Sequence, residues 1–140
     1  MIVLDTNVLS ELTRPNPDAA VLTWIAQQRR AALYTTAISE AELAYGLALI
    51  PHGRRRDALS AAVARLLDEG LGGRVLAFDR IAAAAYGPIT AKRRAAGRPM
   101  ATADGQIAAI ATSRGAALVA TRDLGGFHDC GVNAFSPWQA

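Results

Sequence analysis

A chain of 140 residues with one cysteine cannot be a disulfide-stapled scaffold, and 51% apolar against 19% charged residues excludes a disordered segment. That length can bury roughly two-thirds of its unfolded surface in one core, so a single domain over residues 1–140 is expected. The formal net charge is only +3, but it is unevenly spread: no acid lies between Asp79 and Asp104, an interval holding Arg80, Lys92, Arg93, Arg94 and Arg98.

The first apolar run, Met1 to Leu4, is broken by Asp5 and lacks the basic leader of a secretory signal. No run approaches the ~20 apolar residues of a membrane span. The lone Cys130 allows neither an internal disulfide nor a thiolate zinc cluster. A soluble cytoplasmic protein in a reducing compartment, with no membrane partner, is the expectation.

Met1 to Leu4 predicts a short strand, and Asp5-Thr6-Asn7 supplies helix-starting chemistry before Val8 to Leu12. Pro15 and Pro17 bracket a turn, Asp18 caps a helix running to about Arg30, and Leu33 to Thr36 reads as a second strand. Ser39 is expected to begin a helix through about Leu49, with Ser39-Glu40-Ala41-Glu42 fitting a capping box. Pro51 and Gly53 break it, and Arg54 to Glu69 carries Leu59, Val63, Leu66 and Leu67 at helical spacing. Gly70, Gly72 and Gly73 end that helix before a third strand, Arg74 to Phe78. A helix from Asp79 to about Ala96 contains Pro88, and another runs from about Ala103 to Arg114. Ala117 to Thr121 predicts a buried strand, and a last strand lies near Val132 to Phe135. Strands separated by helices imply an α/β fold of three layers, with a parallel sheet and helices on both faces.

Open parallel sheets bind ligands beyond the carboxyl ends of their strands. Asp5 directly follows the first strand and Asp123 follows the Ala117 to Thr121 strand. Glu42 lies shortly after the second strand, and Asp104 opens the helix that leads into the strand before Asp123. Four carboxylates from separate segments can thus converge, and their repulsion calls for a neutralising cation. Oxygen donors without a thiol or imidazole cluster favour Mg²⁺ or Mn²⁺, ions that serve phosphodiester hydrolysis without a histidine or serine nucleophile. The basic residues Lys92, Arg93, Arg94 and Arg98 are candidate contacts to a polyanion, which the resemblance below makes an RNA backbone.

Four segments resemble, in order, the motifs of a PIN domain. They are Met1-Ile2-Val3-Leu4-Asp5-Thr6-Asn7-Val8-Leu9-Ser10-Glu11, Thr36-Ala37-Ile38-Ser39-Glu40-Ala41-Glu42-Leu43, Ala101-Thr102-Ala103-Asp104-Gly105-Gln106-Ile107-Ala108-Ala109-Ile110-Ala111, and Leu118-Val119-Ala120-Thr121-Arg122-Asp123. The chain is most similar to the VapC and FitB-like branch of that family, small bacterial ribonuclease toxins held inactive by a cognate antitoxin. The resemblance implies a five-stranded parallel sheet, a homodimer, an antitoxin partner, and DNA contacted only through that antitoxin. It makes Asp5 and Asp104 the principal metal ligands, Glu42 and Asp123 the rest of the acidic cluster, and Thr6, Ser39 and Thr121 supporting hydroxyls. Asp129, in Phe127-His128-Asp129, is a competing fourth acid, and Asp123 is preferred because it is nearer the strand end.

Plainer roles exist for the same residues. Asp5-Thr6-Asn7 can be a helix cap, Asp104 a partner of the helix dipole, and Asp123 part of an Asp-Leu-Gly-Gly turn. His52 and His128 show no catalytic spacing, Gly125-Gly126 lacks a phosphate-loop pattern, and Trp24 and Trp138 read as packing residues. Two other functions compete with the nuclease. An aspartyl phosphotransfer or phosphatase site would use Asp5 as nucleophile, but the expected second acid nearby is missing. A catalytically silent regulatory subunit of a DNA-binding antitoxin complex would not need all four acids.

Overall fold

In this computed structural model, which describes residues 1–140, five short strands form the central sheet. They are β1 (Ile2–Leu4), β2 (Leu33–Thr36), β3 (Val75–Leu76), β4 (Leu118–Ala120) and β5 (Asn133–Phe135). All neighbours pair in parallel, in the order β3-β2-β1-β4-β5. The chain builds outward from β1 to β3 on one side and then crosses to place β4 on the other side of β1. That reversal opens a crevice at the carboxyl ends of β1 and β4.

The helices are α1 (Thr6–Leu12), α2 (Ala19–Gln27), α3 (Ala37–Leu49), α4 (Arg54–Arg65), α5 (Arg80–Ala95) and α6 (Thr102–Ser113). Alternation along the strands sends side chains to opposite faces, so Leu4 and Val3 belong to different cores. Leu4 joins Val8, Leu9, Trp24, Leu43 and Leu67 under α1 to α4, with Trp24 stacked on Phe135 at 5.3 Å. Val3 joins Val119, Ile107, Ile110 and Phe127 under α5 and α6. The three expected layers are present. No helix is long and apolar enough to cross a membrane.

Local differences have identifiable causes. The third helix starts at Ala37 rather than Ser39, because Thr36 is the cap: its Oγ1 accepts the Ser39 N–H at 3.1 Å. The expected Ser39/Glu42 capping box is therefore not formed. The helix expected over Arg54 to Glu69 is regular only to Arg65 and then widens over Leu66–Gly70, where the Leu71 N–H reaches back to the Leu66 carbonyl at 2.8 Å. α5 continues through Pro88 without interruption. α6 packs on α5 so closely that a Cβ at Gly105 would meet Thr90 and Tyr86 at 2.9 Å. A side chain there would push away the turn that carries Asp104.

Candidate active site

Asp5 is the first residue past β1 and the cap of α1, and these two positions explain its geometry. Its backbone N–H still pairs with the Ala120 carbonyl at 2.9 Å, as if the strand continued. Its side chain has turned to the helix, Oδ1 accepting the Thr6 N–H at 2.8 Å. Oδ2 accepts the Thr121 hydroxyl at 2.7 Å, from the end of β4. One carboxylate thus caps α1 and reaches the end of β4.

Glu42 reaches the same place from α3. Thr6 Oγ1 lies 2.7 Å from Glu42 Oε1 and 2.9 Å from Ser39 Oγ. Threonine has a single hydroxyl proton and an ionised carboxylate can only accept, so that proton goes to Glu42 and the Ser39 hydroxyl donates to Thr6. Ser39 is buried and fixed at the first turn of α3. The hydroxyls of Thr6 and Thr121 each touch an acid, and that of Ser39 touches Thr6.

Asp104 lies in the first turn of α6, and Asp123 in the loop after β4. The two meet at Gly126. A Cβ there would come within 2.6 Å of Asp123 Oδ2 and 3.2 Å of Asp104 Oδ2, so only glycine leaves room for both carboxylates. The Gly126 N–H donates to Asp123 Oδ1 at 3.0 Å and the Asp123 N–H donates to Thr121 Oγ1 at 3.1 Å. The expected turn forms as well, and it aims the acid. Asp129 instead lies on the surface in the left-handed region at φ 53° and pairs with Lys92 at 3.0 Å.

The electrostatics tie the four acids together. Burial raises the Asp5 carboxyl above its ordinary range, against the hydrogen bonds from Thr121 and Thr6, with the charges of Glu42 and Asp123 adding to the rise. Burial pushes Asp104 up to about 6, followed by the charges of Asp5, Asp123 and Glu42, with Arg93 opposing. Asp129 shifts the other way, its carboxyl lowered by the hydrogen bond and charge of Lys92. A cleft of about 510 Å³ opens over the site, lined without any hydrophobic residue by Asp5, Glu42, Asp104, Arg14 and Arg122 among others.

No three acidic, imidazole or thiol side chains close around one point as a ready-made ion cage. The donors still fit a hard divalent ion. They are all oxygen, the neighbouring carboxylate charges help raise the Asp5 and Asp104 carboxyls, and Mg²⁺ is commonly held by one or two carboxylates with waters completing its shell.

Sequence reasoning passed over several contributors. Asn7 donates from Nδ2 to Thr121 Oγ1 at 3.3 Å and accepts the Arg122 N–H on Oδ1 at 3.1 Å, tying α1 to the loop of Asp123. Its place beside Asp5 and Thr6 was the available signal. Arg122 lies over the Trp138 ring at 5.0 Å, and nothing in their spacing announces that contact. Of the expected RNA contacts, Arg94 and Arg98 are exposed and Lys92 is paired with Asp129. Arg93 departs from the expectation: it is buried at 5% exposure, with its donors spent on backbone carbonyls of Arg98, Gly125, Gly126 and His128.

The PIN domain family profile matches residues 2–131. The chain belongs to the PIN-domain family. This PIN domain is 47% identical to the plasmid stability protein StbB of Pseudomonas syringae pv. tomato over the full length of both. It is 44% identical to the VapC ribonuclease Y4jK of Sinorhizobium fredii, covering 99% of each chain. In three dimensions it superposes on FitAcB from Neisseria gonorrhoeae with a TM-score of 0.91 and 38% identity over all of both chains.

Proposed function

We propose that this PIN domain is the endoribonuclease toxin of a type II toxin–antitoxin pair, hydrolysing RNA phosphodiester bonds with a carboxylate-held Mg²⁺ or Mn²⁺. The observation that carries the reading is the meeting of Asp5, Glu42 and Asp104 at one polar cleft, with Asp123 beside Asp104 at Gly126, in a chain 44% identical to a VapC ribonuclease. Asp5 and Asp104 would hold the ion, with Glu42 and Asp123 completing the donor set. Bound there, the ion supplies Lewis-acid chemistry, lowering the pKa of a water and offsetting charge on the phosphate.

The protein's own residues do the orienting. Thr121 aims Asp5, Thr6 aims Glu42, and the Gly126 N–H aims Asp123. Arg122, in the same cleft, offers a cation to a phosphate near the scissile bond, and Arg14 lines the cleft paired with Glu11 at 3.1 Å. An open cleft of this kind suits single-stranded or loop RNA, whose phosphates can be splayed onto it. The aspartyl-phosphatase alternative lacks the second acid two residues after Asp5 that such a site uses, since Asn7 stands there.

Partner surfaces adjoin the site. A groove lined by Leu43, Leu47, Leu59 and Val63, and ending at Thr6 and Glu42, runs between α1, α3 and α4 and is the surface we assign to the antitoxin. DNA is reached indirectly through that partner. Tyr45 and Leu49 on α3 and Ile81 on α5 are exposed at 66–68%, and we assign them to a homodimer contact.

The decisive experiment is cleavage of unstructured RNA by the purified chain with Mg²⁺ or Mn²⁺, beside Asp104→Asn. Cleavage that disappears in chelator and in the variant is expected. Undiminished cleavage in either would overturn the metal-dependent reading.

A further inference from the structure

Arg93 is buried without a hydrogen-bonded carboxylate, an expensive placement for a guanidinium unless every donor is used on something that matters. It extends from the last turn of α5. Nε donates to the Arg98 carbonyl at 2.7 Å, Nη1 to Gly126 and His128 carbonyls at 3.1 and 2.6 Å, and Nη2 to the Gly125 carbonyl at 3.3 Å. Gly125 and Gly126 lie in the short helical turn Gly125–Phe127 that follows Asp123, and His128 ends it.

The Gly125 carbonyl and the Gly126 N–H are the two ends of one peptide group. Arg93 holds the oxygen end, and the N–H end donates to Asp123 Oδ1 at 3.0 Å. A cation on the oxygen and a carboxylate at the N–H both favour the same dipole direction, so the two bonds reinforce each other. The same glycine is the one packed against the Asp123 and Asp104 carboxylates.

We propose that Arg93 is a positioning residue for the acidic site: through the Gly125–Gly126 peptide it fixes Asp123 beside Asp104, and so sets the affinity for the divalent ion, without contacting RNA. The proposal rests on the reading of Asp104 and Asp123 as ion-holding acids. Lysine is a poor replacement, because a point donor cannot span the carbonyls that the planar fork bridges.

The test is a cycle in the full chain, with Arg93→Gln, Asp123→Asn and the double variant, titrated with Mn²⁺ and read by electron paramagnetic resonance of the free ion. Arg93→Gln is expected to raise the Mn²⁺ Kd by about 10–100-fold, the usual effect of removing support behind a metal ligand. Asp123→Asn is expected to raise it similarly, and the double variant no further. Cleavage by Arg93→Gln is expected to recover at high Mn²⁺, while RNA affinity and its salt slope without metal stay parental. Should Arg93→Gln not fold, Arg93→Lys runs the same cycle, and its shift is expected to vanish beside Asp123→Asn. Parental Mn²⁺ affinity in the Arg93 variant, or losses that add in the double variant, would overturn the positioning role. Asp104→Asn separates the two readings. If it loses Mn²⁺ while Arg93→Gln does not, only the Arg93 role fails, and if it binds Mn²⁺ normally the metal-site reading falls and takes the proposal with it.

Discussion

The Thr6 hydroxyl lies 2.7 Å from Oε1 of Glu42, a bond between residues 36 positions apart that joins the start of α1 to the first turns of α3. It gives Glu42 a fixed oxygen while leaving the rest of its carboxylate facing the cleft. Glutamine can keep the acceptor but not the charge. Glu42→Gln is therefore expected to melt near the parental temperature and to lose most RNA cleavage. Parental cleavage would leave Glu42 only the task of holding the two helices together.

Thr36 rather than Ser39 caps α3, so the stability effect belongs to Thr36. Thr36→Ala is expected to lower unfolding free energy by about 0.5–2 kcal/mol in denaturant titrations, with Thr36→Ser largely restoring it. Equal losses in both variants would point to the threonine methyl instead.

The metal-free protein should carry a pH signature from Asp104. Its carboxyl is raised from 3.8 to about 6, so the folded state binds the proton more tightly than the unfolded chain does. The resulting stabilisation is complete below the unfolded value and is lost as pH rises through about 6. The parental protein should therefore gain thermal stability relative to Asp104→Asn as pH falls across that window. Mn²⁺ affinity should fall over the same range, because proton and ion compete for one carboxylate. Parallel melting curves at every pH would contradict this.

Arg122 and Arg14 line the acid cleft, whereas Arg94 is exposed in the last turn of α5 and Arg98 is exposed just after it. Removing one cation that neutralises a phosphate of single-stranded RNA reduces the salt slope of binding by about 0.7. Arg122→Glu is expected to show that reduction and to slow cleavage. The Arg94→Glu/Arg98→Glu pair should change binding and salt slope while sparing cleavage at saturating RNA. Filter binding across a salt series distinguishes them, and an unchanged slope in all variants would leave these arginines as a solvated face.

Leu49 is 66% exposed on the outer side of α3, next to Tyr45 one turn earlier. If this face joins two copies, Leu49→Glu is expected to shift the protein from dimer to monomer in sedimentation. An unchanged distribution would move the contact elsewhere.

The order of elements, the three layers and the nearness of Asp5, Glu42 and Asp104 to the ends of elements were legible in the residues themselves. Apolar runs of strand length, helical spacing and an acid at the end of β1 are local properties, and each acid follows or opens an element whose type its neighbours determine. Asp5 shows how far that reaches: a residue directly after a buried run must sit at the sheet's carboxyl edge. The roles of Asp123, Asp129 and Arg93 were not legible in the same way. Asp123 and Asp129 are both short-loop acids after β4, and only the packing of Gly126 against Asp104 brings Asp123 inward, while Lys92 holds Asp129 outside. Arg93 stands among basic neighbours in a helix whose burial depends on a loop more than thirty residues away, so its sequence context described a solvated face. Tertiary structure decided these cases because whether a charge faces water, a carbonyl or another charge is set by contacts between segments far apart in the chain, and no periodicity within one segment encodes them.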